Sequence, residues 1–262
     1  METARDSRQA LASAPLWPLM LRLALPAVVA QLVNLLYNIV DRIYIGHIPQ
    51  NGDLALTGLG LTFPVILSIS AFSALVGSGG SPIAAIFLGK KDEQSAQRIL
   101  GNGTFLLLVF SSVLTVLFFL VKEPLLYLVG ASEKTFPFAD QYLSIYLLGT
   151  LFVQLSMGLN PFISCQGKSK VAMLSVLIGA VCNLILDPIF IFWLDMGIRG
   201  AALATVLSQG VSALLTVITL IRSDSCTHLS LKKLGMHWGM ILKILKVGIP
   251  AALQMTITSF SN

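Results

Sequence analysis

The sequence predicts an all-α, polytopic membrane protein, a six-helix transmembrane bundle followed by the start of a seventh helix. Three observations carry that reading. The 262 residues are 55% hydrophobic and only 11% charged, with a mean hydropathy of +0.84, which leaves too few polar side chains to cover a water-facing surface of that size. Apolar runs long enough to cross a hydrocarbon core of roughly 30 Å recur along the whole chain, and there only helices satisfy their own backbone polar groups. The 17 Lys and Arg are also sorted by loop. With the N-terminus in the cytoplasm, only Arg42, Lys122, Lys134 and Arg199 fall outside, which is the positive-inside bias.

The elements follow in order. The first dozen residues are polar, and Ala12-Ser13-Ala14 has no apolar stretch before it and Pro15 after it, so no cleaved signal peptide is expected. The first span covers 16–45. The second, 54–88, is overlong for one crossing and is expected to be tilted or broken. Its Gly77-Ser78-Gly79-Gly80-Ser81-Pro82 lacks the Lys-Ser/Thr ending of a phosphate loop and reads as a flexible or closely packed break. Lys90 to Arg98 form an amphipathic, solvated cytoplasmic connector. Further spans cover 99–121, 137–165, 170–194 and 199–221, and a seventh begins near 238.

An internal repeat sets the organisation. Leu21 to Asn38 aligns without gaps to Leu245 to Asn262, at a constant offset of 224 residues with four identical pairs among 18. Both copies open a span from the cytoplasmic side, with six spans between their starts. The reading is a six-helix lobe over 1–235 and the start of a second, parallel lobe over 236–262. The second lobe is expected to be incomplete, because only 16 residues run from Val247 to Asn262.

The net charge of +5 is topological, which argues against a nucleic-acid partner. Cys165, Cys182 and Cys226 have no paired spacing for zinc or a disulfide framework and read as structural. His47, His228 and His237 sit at span ends without companions at ligand spacing, so no metal site is expected from them.

A charged side chain within hydrocarbon costs several kcal/mol, which makes an intramembrane carboxylate a functional candidate. Of the 12 acidic residues, nearly all fall in loops or at span edges, and Asp41 and Asp187 do not. Gln31, Asn34, Asn38 and Asp41 are spaced 3, 4 and 3 apart, which puts them on one face of the first span, toward protein or water. A second reading stays open, in which Asp41 marks the helix end beside Arg42 and reaches water by snorkelling. Asn183 and Asp187 are i and i+4 on the fifth span, and Pro188 withholds the N–H that would bond the carbonyl of Leu184. An oxygen-rich kink there could hold a proton or a small hard cation; the alternative is a helix end with a capping Asn. Thr205, on a sixth span opened by Gly200-Ala201-Ala202, could add a hydroxyl to the same cluster or serve packing alone.

Taken together, several segments resemble the multidrug and toxic compound extrusion family of secondary transporters. They are Leu25-Pro26, Tyr37-Asn38-Ile39-Val40-Asp41, Gly77-Ser78-Gly79-Gly80 with Leu88-Gly89-Lys90-Lys91-Asp92, Gln166-Gly167-Lys168, Asn183 to Pro188, and Gly200 to Thr205. The resemblance implies the first lobe of a twelve-helix, two-lobe transporter in the cell (inner) membrane, exporting cationic or amphipathic drugs in exchange for H⁺ or Na⁺. It implies no enzyme activity, no catalytic residues and no cofactor. It also implies a cation site of Asp41, Asn183, Asp187 and Thr205, and we expect Gln31, Asn34, Tyr37 and Asn38 to line a substrate cavity. A chain with one lobe has no opposing bundle to rock against, so it is expected to need the missing carboxyl-terminal lobe.

Two rival readings fit the residues less well. A lipid-linked oligosaccharide flippase of similar topology more often places Arg and Lys in its cavity to meet phosphates, whereas here the basic residues lie almost entirely outside the spans. An intramembrane aspartyl hydrolase would need close backbone approach beside one aspartate, and Leu184-Ile185-Leu186 precede Asp187 instead.

Overall fold

The computed structural model describes residues 16–222, 229, 235 and 237–260. All regular structure among them is helical, in the order α1 (Leu16–Gly46), α2 (Gly52–Gly89), α3 (Glu93–Val129), α4 (Phe136–Leu148), α5 (Thr150–Ser164), α6 (Ser169–Pro188), α7 (Ile198–Ile221) and α8 (Trp238–Phe260). A π-helical turn, Ile189–Trp193, extends α6. Five helices are long and apolar enough to cross a membrane, and the bent pair α4–α5 makes a sixth span. Cys226 and His228 lie outside the described residues.

Three spans differ from their predicted form, each for a local reason. The overlong second span is one continuous helix that carries both Pro64 and Pro82 without a break. Its glycine run is closely packed and helical, because the missing side chains let other helices approach the backbone. At Gly79 a Cβ would strike the carbonyl of Ile244 and the nitrogen of Gly248, and at Gly248 it would strike the carbonyl of Leu75. The two helices therefore cross backbone to backbone.

The predicted fourth span is divided at Gly149, where α4 and α5 bend by 59°. A Cβ there would collide with the side chain of Val206 on α7, so the corner fits only glycine. In the fifth span the α-helix runs through Pro188 and then widens into the π turn, whose Leu194 N–H bonds the Ile189 carbonyl at 2.9 Å. The connector is also more regular than expected. Asp92 caps α3, accepting from the Ser95 N–H at 3.0 Å, so Glu93 to Arg98 form the first turns of a helix.

In lipid, tails are as apolar as leucine, so helices associate through close packing and polar contacts rather than through burial from water. The outward side chains of α1, among them Leu25, Leu32, Leu36 and Ile43, are exposed apolar groups of the kind lipid solvates. Between helices the contacts are small or polar. Gln154 of α5 accepts from Ser73 at 2.8 Å and donates to the Ile69 carbonyl at 3.1 Å. Ser156 meets Ser212 at 3.2 Å, and Asn160 donates to Ser175 at 2.9 Å.

Two apolar cores fill the bundle. One gathers Ile45, Leu59, Ile69, Tyr142, Leu143 and Ile191 toward the α1–α2 turn. The other gathers Val76, Ile99, Leu100, Phe162 and Ile163 toward the α2–α3 turn, and it includes Ile241 and Ile244 of α8. The seventh span thus begins inside the packing of the first six. Its start is fixed from α3, since the buried Asn102 side chain accepts from the His237 N–H at 2.8 Å while donating to the Arg98 carbonyl at 2.7 Å.

Candidate cation site and adjoining cavity

Helix α1 lies mainly along α6, and α6 lies along α7. This arrangement brings Asp41 on α1, Asn183 and Asp187 on α6 and Thr205 on α7 to the interior. Their exposures are 6%, 1%, 0% and 9%. The Asn183 amide donates to the Asp187 carboxylate at 3.2 Å, as the i, i+4 spacing allows. Asp41 is close enough to Asp187 for their charges to interact. Tyr142 is close enough to interact with both Thr205 and Asp41.

The cluster is rich in unused oxygen. Asp41 Oδ1, Asp187 Oδ2 and Asn183 Oδ1 are buried without a hydrogen-bond partner. Arg42, beside Asp41 in sequence, is exposed and lies over the ring of Phe63, 4.9 Å from its centroid. Buried polar groups are normally satisfied, so several orphaned acceptors at one place form an arrangement chemically suited to a proton or a cation.

A cavity of about 810 Å³ adjoins the cluster. Its wall includes Gln31, Asn34 and Tyr37 of α1, Asn160 of α5, Asn183 of α6 and Gln209 of α7. Asp41, Asp187 and Thr205 do not line it; Asn183 is the one cluster residue that does.

Of the four residues expected in the cavity, Gln31, Asn34 and Tyr37 line it and Asn38 does not. Asn38 is exposed and its amide donates to the Asn34 carbonyl at 2.7 Å. It faces a shallow groove along α1, shared with Gln31, Leu32, Asn34 and Leu35. At about 100° per residue, Asn38 sits roughly 60° around the helix from Asp41. On the same wheel Asn38 falls between Gln31 and Asn34, which do line the cavity, so angular position alone does not exclude it.

Three polar residues escaped the sequence reading of the site. Tyr142 stacks on Tyr146, four residues on, with centroids 6.2 Å apart. That pair was visible as an i, i+4 repeat on the fourth span. Gln209 follows Thr205 by the same interval. Asn160 on α5 had no local signal, since its role depends on the Gly149 bend.

The geometry can be set beside known proteins. A sequence model of the MatE family matches residues 26–189. "Multidrug export protein MepA" of Staphylococcus haemolyticus is 29% identical over 238 residues, covering 91% of this chain and 52% of that protein. Among solved structures, an outward-facing multidrug resistance MATE family transporter of the MOP superfamily aligns with TM-score 0.84 at 28% identity, over 90% of this chain and 52% of that one. An inward-facing structure of such a transporter aligns with TM-score 0.81 at 28% identity, over 92% and 55%. The chain spans about half the length of the curated relatives it matches. Since the family's sequence pattern runs through more than half of its residues and the family's fold through nine-tenths of them, this chain belongs to the MatE family of multi-pass membrane transport proteins.

Proposed function

We propose that the chain is the amino-terminal lobe of a cation-driven antiporter, coupled to H⁺ or Na⁺, that exports cationic or amphipathic drug-like compounds. The observation that carries this is the set of unpartnered buried oxygens on Asp41, Asp187 and Asn183 beside a cavity of about 810 Å³. Two interacting carboxylates in a dry site favour uptake of positive charge. Asp41 and Asp187 hold that charge, Asn183 offers a carbonyl oxygen, and Thr205 and Tyr142 supply hydroxyls around it.

Coupling runs through α1. The helix that carries Asp41 also carries Tyr37, one turn back, and Asn34 and Gln31 in the cavity wall. Charge neutralisation at Asp41 changes how tightly α1 is drawn to α6 and α7, and the wall moves with it. Pro26, within α1, cannot bond the carbonyl four residues earlier, which gives the helix a point of bending. The cavity wall offers amides, hydroxyls, methionines and apolar carbon and, among the described residues, no Lys or Arg. That lining suits cationic or neutral cargo better than a phosphate.

Transport needs an opposing lobe, and residues 236–262 open it in this reading. The near-equal match of the chain to an outward-facing and an inward-facing structure supports a lobe that moves as a body. The protein sits in the cell (inner) membrane with its N-terminus in the cytoplasm, acts without a cofactor, and is not an enzyme. The test is drug efflux by a full-length form in proteoliposomes, under separately imposed pH and Na⁺ gradients, with and without Asp41→Asn. Loss of gradient-driven efflux in the variant is expected, and undiminished efflux would sink the proposal.

A further inference from the structure

We infer that Gln209 is a further ligand-binding residue, whose side-chain carbonyl accepts a hydrogen bond from the N–H of a cationic amine held in the cavity. The inference rests on reading the cavity as the cargo site and says which chemical group is recognised there.

Gln209 lies on α7 four residues after Thr205, so the two stack on one face, one turn apart. Thr205 belongs to the cation cluster, whereas Gln209 lines the cavity. Its Oε1 is buried and has no hydrogen-bond partner. Tyr37 lines the same cavity and is close enough to Gln209 to interact with it. The Gln209 carbonyl oxygen is the end of the amide left as an acceptor.

A second such acceptor stands across the cavity wall. Asn183 Oδ1 is also buried and unpartnered, and Asn183 lines the same cavity from α6. The two helices are packed closely there, with Gly179 of α6 set against Ser208 and Ser212 of α7. Two neutral carbonyl oxygens beside two carboxylates fit a donor that brings both N–H groups and positive charge. A protonated amine, or an N–H group on a delocalised cationic dye, has both. A quaternary or phosphonium cation has only the charge, and gains nothing from either amide.

The experiment uses the full chain in nanodiscs and two probes, rhodamine 6G, a cation with N–H donors, and tetraphenylphosphonium, a cation with none. Binding of each is measured by calorimetric titration to the unsubstituted chain, Gln209→Leu and Gln209→Glu. Loss of a hydrogen bond to a charged group weakens binding by about ten-fold or more. We expect that loss for rhodamine 6G with Gln209→Leu, affinity kept with Gln209→Glu, which retains an acceptor, and tetraphenylphosphonium changed less than about two-fold. Equal weakening of both probes by Gln209→Leu assigns the residue to packing and overturns the inference, as does no change in either. Binding of neither probe by the unsubstituted chain overturns the cargo reading itself, an outcome distinct from failure at Gln209 alone.

Discussion

Asn183 and Asp187 share one hydrogen bond of 3.2 Å and keep one unpartnered oxygen each. The pair is half satisfied, a costly arrangement inside a protein, where an uncompensated buried charge or acceptor destabilises the fold by about 1–3 kcal/mol or more. Stability is being given up at that position, and the first prediction follows from it.

Replacing Asp187 by Asn removes the buried charge while keeping the shape. Asp187→Asn and Asp41→Asn are expected to melt at the same or a higher temperature than the parent chain in detergent. Any rise in melting temperature on adding Na⁺ or lowering pH should disappear in both. A drop of several degrees in either variant would show that the carboxylates serve the fold and not a bound cation.

The crossing of α2 and α8 tolerates no side chain at either glycine. Gly79→Ala and Gly248→Ala should each force the helices apart and destabilise the chain by about 1–3 kcal/mol, the usual cost of overpacking. Gly60, also inside α2, has open space where its Cβ would be, so Gly60→Ala should be neutral or stabilise by up to about 1 kcal/mol through helix propensity. Thermal unfolding of the three variants checks the contrast; similar behaviour would mean that the crossing is not tight.

Asn102 acts as an external cap for the start of α8. Asn102→Ala should cost about 1–2 kcal/mol, in the range of a lost helix cap, and hydrogen exchange should quicken at His237 to Ile241 before other segments respond. Asn102→Asp keeps an acceptor and should restore protection. Uniform loss of protection across α3 instead would assign Asn102 to its own helix.

The Asp92 cap gives a pH signature at the α2–α3 turn. Hydrogen bonds from the Ser95 side chain and backbone hold the Asp92 carboxyl below its usual pKa. With the folded value lowered, the cap is at full strength above the unfolded value of about 3.9 and is lost as pH falls through the lower folded value. The exchange protection factor of Ser95 should hold near neutral pH and collapse in that acid range, whereas Asp92→Ala should lack it throughout. A protection factor that ignores both pH and the substitution would rule the cap out.

Much of the architecture was legible because a membrane leaves few choices. Apolar length marked every span, and the cost of a charge in hydrocarbon singled out Asp41 and Asp187. The i, i+4 interval of Asn183 and Asp187 even anticipated their hydrogen bond. What stayed hidden was set by partners distant in sequence. At the Gly149 corner Val206 leaves no room for a side chain, and at the glycine run of α2 the backbone around Gly248 leaves none at Gly79; both neighbours lie far along the chain. Asn38 stands outside the cavity for a reason that spacing does not carry. On the helical wheel it falls between Gln31 and Asn34, both in the cavity wall, so its position along α1 and the local packing set it apart.

The meeting of Gly79 with Gly248 bears on where this protein can be cut. The second lobe is read from residue 236, yet Ile241 and Ile244 complete a core begun by Ile99, Leu100 and Phe162. A first half released between α7 and α8 would leave that core open on one side. Junctions for split proteins, or for chimaeras that exchange second halves between relatives, belong after Gly248 rather than between α7 and α8.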